Sequence, residues 1–516
     1  AVGIKQRTIL WYLVFIGFSV NYAIRINLNI SIVDMIDENF RKITNNTLVA
    51  SECIADFGNL SDIDGYTQSF TPVEMKKNFP SLERMLLDFL GVDYERGGFK
   101  WDEHQQGIVL GAFFWLHFLL QLPGGILAAK YGTKMIFGYS NLIGCLLCCL
   151  IPLASYLDYH LMIFLRVLQG IICSAAWPSM HHLSGQWIPA DERSSFVSSY
   201  LGSSMGVALY YPIFGWIMKQ YSWEYIFHFC GVLGTIWFFF WNYFVYDTPG
   251  EHPRIEAIER NYIHEKLGSS LHLDNEVKRK IPWSKILTSR ALWINMIAQF
   301  GGVWGLFTIL SQSPSYFRFV HGWSGAKIGI VSGLPHLLRT VMALVISQIA
   351  DYLLRNDKMS RDHVRKVGTT VSCIVNGIFV IGLAYSGCNA MLACVFMILA
   401  TGCHGAVSAG PLAGIIDNSP NYAGILLGIV NMFCVIPGFV SPIIVSYLTY
   451  ENQSIESWRI IFLISATMLI ISGVIYLLFA DSTRQEWNKV SPDEKQTDEE
   501  KNLNQEMLKT EDLSKK

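Results

Sequence analysis

The sequence predicts an all-α membrane protein, with twelve transmembrane helices in two six-helix halves. About twelve apolar runs of 20 or more residues are spread along the chain. Each is long enough, at helical rise, to cross the roughly 30 Å hydrocarbon core of a bilayer. Of the 516 residues, 51% are hydrophobic and 16% charged, a balance too apolar for an ordinary soluble enzyme. The connection 247–288 leaves six runs before it and six after it, as duplication of a six-helix unit would. A net charge of −2 offers no basic surplus for a phosphate backbone, so nucleic acid is excluded as a partner.

Taken in order, residues 1–8 form a short cytosolic N-terminus. The first run, 9–33, has about 25 residues, too many for the apolar core of a cleaved signal peptide, and is expected to stay as a span. With 106–129, 135–156, 160–185, 195–218 and 224–246 it makes an N-terminal half, 9–246. The polar insert 34–103 carries acceptor sequons at Asn45 and Asn59, which favour the extracellular or lumenal side. The inter-half loop 247–288 is read as cytosolic. Runs at 289–312, 326–349, 367–386, 390–414, 422–448 and 457–480 make the C-terminal half, 289–480. The tail 481–516 has almost no apolar side chains and is expected to be a disordered cytosolic segment. Lys5, Arg7, Lys130, Lys134, Arg193, Arg355, Lys358, Arg361, Arg365 and Lys366 share one face if the helices alternate, and the short loops of the other face nearly lack Lys and Arg. Both termini are therefore expected in the cytosol. All the cysteines but Cys53 and Cys388 fall in apolar runs, where thiols pack, and no disulfide framework is expected.

Three spans contain a fixed positive charge: Arg25, Arg166 and Arg339. A charge at mid-membrane raises insertion cost by roughly 2.5 to 3.5 kcal/mol, so it persists where something pairs with it. None of the three segments holds an Asp or Glu at that depth. The missing partner is read as an anion from outside the protein, since guanidinium forks suit carboxylate and phosphate oxygens. For Arg166, about two turns from its helix end, snorkelling to the headgroups is the alternative. Arg339, one turn after His336, fits a structural pair as well as a substrate contact. His117, His336 and His404 show no ligand spacing such as His-Glu-x-x-His, and the spans hold no paired carboxylates, so an enzyme is not expected.

The stretch Gly125-Ile-Leu-Ala-Ala-Lys130-Tyr-Gly-Thr-Lys134 and its echo Ser347-Gln-Ile-Ala-Asp351 resemble a signature of the major facilitator superfamily, with its Asp absent at Ala129 and present at Asp351. Further blocks run in order: Asn21-Tyr-Ala-Ile-Arg25, Phe113-Phe-Trp with Gln121-Leu-Pro-Gly-Gly125, Leu165-Arg166-Val-Leu-Gln-Gly170, and Tyr422-Ala-Gly-Ile-Leu-Leu-Gly-Ile-Val-Asn431. These resemble the anion-cation symporter family, which holds sialin, the vesicular glutamate transporters and the type I sodium-phosphate cotransporters. In character the chain is closest to the inorganic phosphate branch. The resemblance implies alternating-access transport of a small anion engaged by Arg25 and Arg166, with Tyr22, His117 and Trp304 also at the substrate and Phe300, Phe307 and Tyr316 as further aromatic walls.

Departures from the family pattern bear on substrate and coupling. Cys173 stands where proton-coupled members carry Glu. The helix-seven arginine of the glutamate carriers falls at Gly302, and their helix-two histidine at Leu110. A glutamate carrier is therefore not expected. A Cys173 thiolate would compete with substrate for Arg166, and arginines near His117 disfavour its charged form. Symport driven by sodium or voltage is expected, with neutral oxygens such as Ser19, Asn27 or Asn431 for the cation. Gln169, Cys173, Asn27, His336, Arg339 and Asp351 are the candidates for coupling or gating. No cofactor beyond a co-transported sodium ion is expected, and the chain is read as a monomer of the plasma membrane rather than of a lysosomal or vesicular one. The alternatives are a proton-coupled, sialin-like carrier of acidic sugars and a non-transporting receptor on a transporter fold.

Overall fold

A computed structural model describes residues 5–37, 53, 81–95, 98–121, 123–189, 196, 198–276, 282–419 and 422–488. Among the described residues twelve spans follow one another, α2 as a bent pair. The first half holds α1 (Gln6–Met35), α2 (Glu103–Ala112, continued through His117–Leu120 to Pro123–Tyr131), α3 (Thr133–Leu157), α4 (Tyr159–Trp187), α5 (Gly202–Gln220) and α6 (Glu224–Phe244). The second holds α7 (Arg290–Phe319), α8 (Gly325–Arg355), α9 (Arg361–Ala384), α10 (Ala390–Asn418), α11 (Ala423–Leu448) and α12 (Ile455–Phe479). Alternation puts the insert on one face of the bundle and the termini on the other, here called the insert end and the terminal end.

Polar caps fix where several spans begin. Asp102 and Gln105 exchange side-chain and backbone hydrogen bonds in a capping box at α2. Asp158, Ser360, Asn389 and Ser454 each accept from a backbone N–H in the first turn of α4, α9, α10 and α12. Each satisfies a donor that the helix itself leaves unpaired. Partway along several spans the helix breaks: α2 passes through the 3-10 turn His117–Leu120 and bends by 60° between Leu120 and Pro123, and α10 passes through another 3-10 turn at His404–Ser408. Both breaks carry a histidine into the interior.

Toward the insert end the halves are sealed against each other. Tyr211 of α5 donates its hydroxyl to the Leu310 carbonyl of α7 at 2.5 Å, and Asn29 of α1 donates to the same oxygen at 3.4 Å. Gly215 of α5 lies against Gly325 and Gly329 of α8, and Gly107 of α2 against Ser446 of α11. A small pocket remains at this seal, lined by Glu103, Gln106, Gln312, Ser315, Ser446 and Trp458 among others, and none of the three arginines reaches it.

The insert contributes a helix, Leu82–Leu90, docked on the ends of α3 and α6. Arg84 pairs with Glu224 at 3.0 Å and donates to the Tyr156 hydroxyl at 3.0 Å, while Glu83 meets His228 at 2.5 Å. Burial alone would raise the Glu83 carboxyl, but the hydrogen bonds, that from His228 foremost, and the His228 charge outweigh it and hold the group below its ordinary value. Leu82, Met85, Leu86, Phe89 and Leu90 are exposed.

Two expectations are corrected. Cys53 and Cys388 form a disulfide with Cα atoms 5.1 Å apart, tying the insert to the α9–α10 connection. They are the two cysteines outside the apolar runs, and a separation of 335 residues hid their proximity from the sequence. The nine others are free thiols. The first residues after α12 are also ordered, because Trp487 packs on Tyr422, Gln485 donates to the Asn418 carbonyl and Ser419 donates to Asn488.

Candidate functional site

Arg25, Arg166 and Arg339 all lie inside the bundle, and no carboxylate pairs with any of them among the described residues. Arg166, 1% exposed, is held within its own half. Its Nη1 donates to Gln169 Oε1 at 2.8 Å, to the Ile24 carbonyl at 3.2 Å and to Asn27 Oδ1 at 3.4 Å. Gln169 is fixed in turn by donating to the Gly144 carbonyl at 2.7 Å. The guanidinium is thus solvated by neutral oxygens and its charge stays uncancelled.

Arg25, 7% exposed, reaches His117 instead, Nη2 to Nε2 at 3.3 Å. The other ring nitrogen of His117 lies 2.8 Å from the Gly170 carbonyl. A carbonyl only accepts, so the proton sits on Nδ1 and Nε2 accepts from Arg25. The imidazole is neutral in this arrangement. Close approach of α2 to α4 makes it possible, since a Cβ at Gly170 would lie 1.8 Å from the Phe113 carbonyl oxygen. The Phe113 ring stands between the two charges, 5.6 Å from the Arg25 guanidinium and 5.3 Å from that of Arg166. Tyr22 lies under Arg25 at 4.8 Å, a cation–π contact.

The second half repeats the pairing with different residues. Arg339 Nε donates to His404 Nδ1 at 3.1 Å, which leaves the His404 proton on Nε2 beside Gly302. Arg339 Nη1 donates across the seam to the Ser204 hydroxyl of α5. His336, one turn before Arg339, is buried with Nδ1 unpaired among the described residues.

The remaining expected residues divide. Trp304 is buried on α7 with its ring 5.9 Å from Phe300, and Phe307 meets Phe114 of the first half at 5.0 Å. Tyr316 is not a wall of this site. It packs at the insert end on His321, Trp458 and Phe462, because α7 continues well beyond the expected end of its span. Cys173 is buried against the Ser140 carbonyl and Gly144, between α3 and α4. Asn27 is committed to Arg166, Cys148 and the Leu28 N–H, and Ser19 to Tyr210, so the structure does not gather these two into one site. Asp351 is exposed near the terminal end, about 18 Å along α8 from Arg339 at helical rise. Asn45 and Asn59 lie outside the described residues. Sequence reasoning missed His404 and Ser204 as partners of Arg339; the only signal was a histidine at the same depth in another span.

This bundle with an uncompensated cationic interior is a transporter fold, and a Major Facilitator Superfamily model matches residues 14–442. Solved structures agree. A bacterial homolog of the human lysosomal transporter Spinster, inward-facing and occupied, aligns at TM-score 0.61 and 11% identity over 95% of this chain and all of that one. The D-xylose-proton symporter aligns at 0.57 and 13% over 93% of this chain and all of that one. At such identities the likeness shows the fold. Sialin of Homo sapiens is 32% identical over 476 residues, 92% of this chain and 89% of that one. Vesicular glutamate transporter 2 of Bos taurus is 30% identical over 501 residues, 97% of this chain and 77% of that one. The chain belongs to the anion-cation symporter family of the major facilitator superfamily and is a membrane transporter, not an enzyme.

Proposed function

We propose that the chain carries inorganic phosphate or small organic anions by alternating access, driven by sodium or membrane voltage. One observation carries this reading: three interior guanidiniums, two of them leaning on neutral imidazoles, leave a positive charge that only an incoming anion cancels. Binding neutralises the interior and lets the halves rock about the site. Arg25, Arg166, His117, Tyr22 and Trp304 form the substrate region. A co-transported sodium ion would be held by carbonyl, hydroxyl and amide oxygens rather than by a carboxylate. The insert end faces outward, both termini are cytosolic, and the protein works as a monomer in the plasma membrane.

The test is uptake into proteoliposomes of labelled phosphate, urate, sialic acid and dicarboxylates, with sodium gradient, voltage and pH gradient imposed separately. Accumulation with sodium or voltage is expected. A proton-coupled carrier is the second reading, favoured by His117, where a proton on Nε2 would expel Arg25 from its contact. Uptake driven by an acid exterior alone, and lost in His117→Ala, establishes that reading. Saturable binding without accumulation would make the protein a receptor.

A further inference from the structure

Among the three interior arginines, Arg339 is the least buried. It is only partly buried, whereas Arg25 and Arg166 are buried. It also belongs to the other half. Its Nη1 crosses the seam to Ser204 of α5, a contact that any rocking of the halves must break or carry along. Tyr22 links it to the first arginine: the ring lies 4.8 Å beneath the Arg25 guanidinium, and the side chain is close enough to Arg339 to interact with it electrostatically. One half-buried tyrosine thus lies against Arg25 of the first half and within electrostatic range of Arg339 of the second. Beside Arg339 the buried His336 keeps an unpaired Nδ1.

Resting on the transport reading above, we propose that Arg339 is the second half's substrate-binding residue. A carboxylate or phosphate group bridges Arg25 and Arg339 beside Tyr22, and Arg339 exchanges the Ser204 hydroxyl for an anion oxygen. Within the substrate region Arg166 then acts as a positioning charge, held by Gln169, Asn27 and the Ile24 carbonyl behind Phe113, one layer back from the anion. The logic is that of a clamp. An anion that touches one half only can stabilise no closure, while an anion bound to a guanidinium from each half draws them together. Ser204 serves as the placeholder that satisfies Arg339 without cancelling its charge.

The experiment measures equilibrium binding of radiolabelled inorganic phosphate and sialic acid to the purified full chain. Arg339→Gln is expected to weaken binding of the recognised anion about 10- to 150-fold, the scale of a lost hydrogen bond to a charged group, with Arg339→Lys recovering part of it. Ser204→Ala separates binding from mere support. If Arg339 only braces the halves, losing its partner leaves affinity unchanged or weakens it; if Arg339 must release Ser204 to take the anion, affinity rises about 2- to 10-fold. A second readout is phenylglyoxal modification mapped by mass spectrometry, in which Arg339 reacts and the bound anion protects it. Wild-type affinity in a folded Arg339→Gln protein, or unprotected Arg339 at saturating anion, overturns the proposal while leaving anion transport standing. Failure of the wild type to bind or accumulate either probe, or any anion of the uptake screen, instead removes the transport reading and this proposal with it.

Discussion

Replacing Gly329 by Ala should tip the protein toward the state open at the insert end. Gly329 of α8 faces α5 of the opposite half, and a Cβ there would lie 2.4 Å from the Tyr211 carbonyl oxygen and 3.1 Å from the Gly215 Cα. Ordinary contact begins near 3.4 Å. The obstacle is helix backbone, which cannot rotate aside as a side chain would, so α5 and α8 must part by about 1 Å at the seal. Overpacking of this size costs about 1 to 3 kcal/mol. Only the sealed state bears that cost, because the two helices separate when this end opens. The equilibrium should therefore move about 5- to 150-fold toward opening. Ser446→Cys provides the reporter, since Ser446 is shielded against Gly107 of the other half in the sealed state. With an impermeant maleimide on the insert face, Ser446→Cys should label faster in Gly329→Ala than in the Gly329 parent, each corrected for the other thiols. Equal labelling rates in a folded protein would refute the claim that these glycines govern the seal.

Other outcomes follow from the same contacts. Arg25→Gln should abolish uptake at near wild-type expression, whereas Arg166→Gln should abolish uptake and also lower the unfolding temperature, because it strands acceptors on Gln169, Asn27 and Ile24; transport retained in either removes that residue from the mechanism. The Glu83 carboxyl is held below its usual 4.5, so docking of the insert helix is fully supported above that pH and is lost as pH falls through the lowered value. Hydrogen exchange at residues 82–90 should rise on acidification, and Glu83→Gln should flatten the pH dependence. Glycosidase should shift the wild type but not a chain with Asn45 and Asn59 both changed to Gln.

The spans were legible because each must bury an unbroken apolar stretch and close its own backbone hydrogen bonds, and both demands are written locally. The caps at Asp102, Asp158 and Ser454 are also local, since each side chain accepts from a backbone N–H three residues on. What brings Arg339 beside Ser204 and His404, or Cys53 to Cys388, is the packing of helices distant in sequence, and no local spacing encodes it. Arg25 and Arg166 were legible as charges, but not their unequal surroundings. The insulating Phe113 and the Gly170 carbonyl that sets the His117 tautomer emerge only when α2 and α4 are seen in contact.

Histidine at these two places solves a problem that a carboxylate would create. A buried guanidinium needs acceptors, and aspartate or glutamate would supply them most strongly. Such a pair is also neutral, so a substrate anion would have to displace a fixed negative charge before gaining anything. A neutral imidazole accepts the same hydrogen bond and leaves the charge whole, as do the Gln169, Asn27 and Ile24 oxygens around Arg166. Cys173 belongs to the same logic. At a place where the family resemblance expects Glu in proton-coupled members, this chain has a thiol buried between α3 and α4, so no acid on that helix face competes for Arg166. Carboxylates are instead placed at span ends, where Glu224 and Asp417 pair with Arg84 and Arg365. The division keeps structural ion pairs at the span ends and leaves the uncompensated charge in the interior, where the proposed anion would complete it.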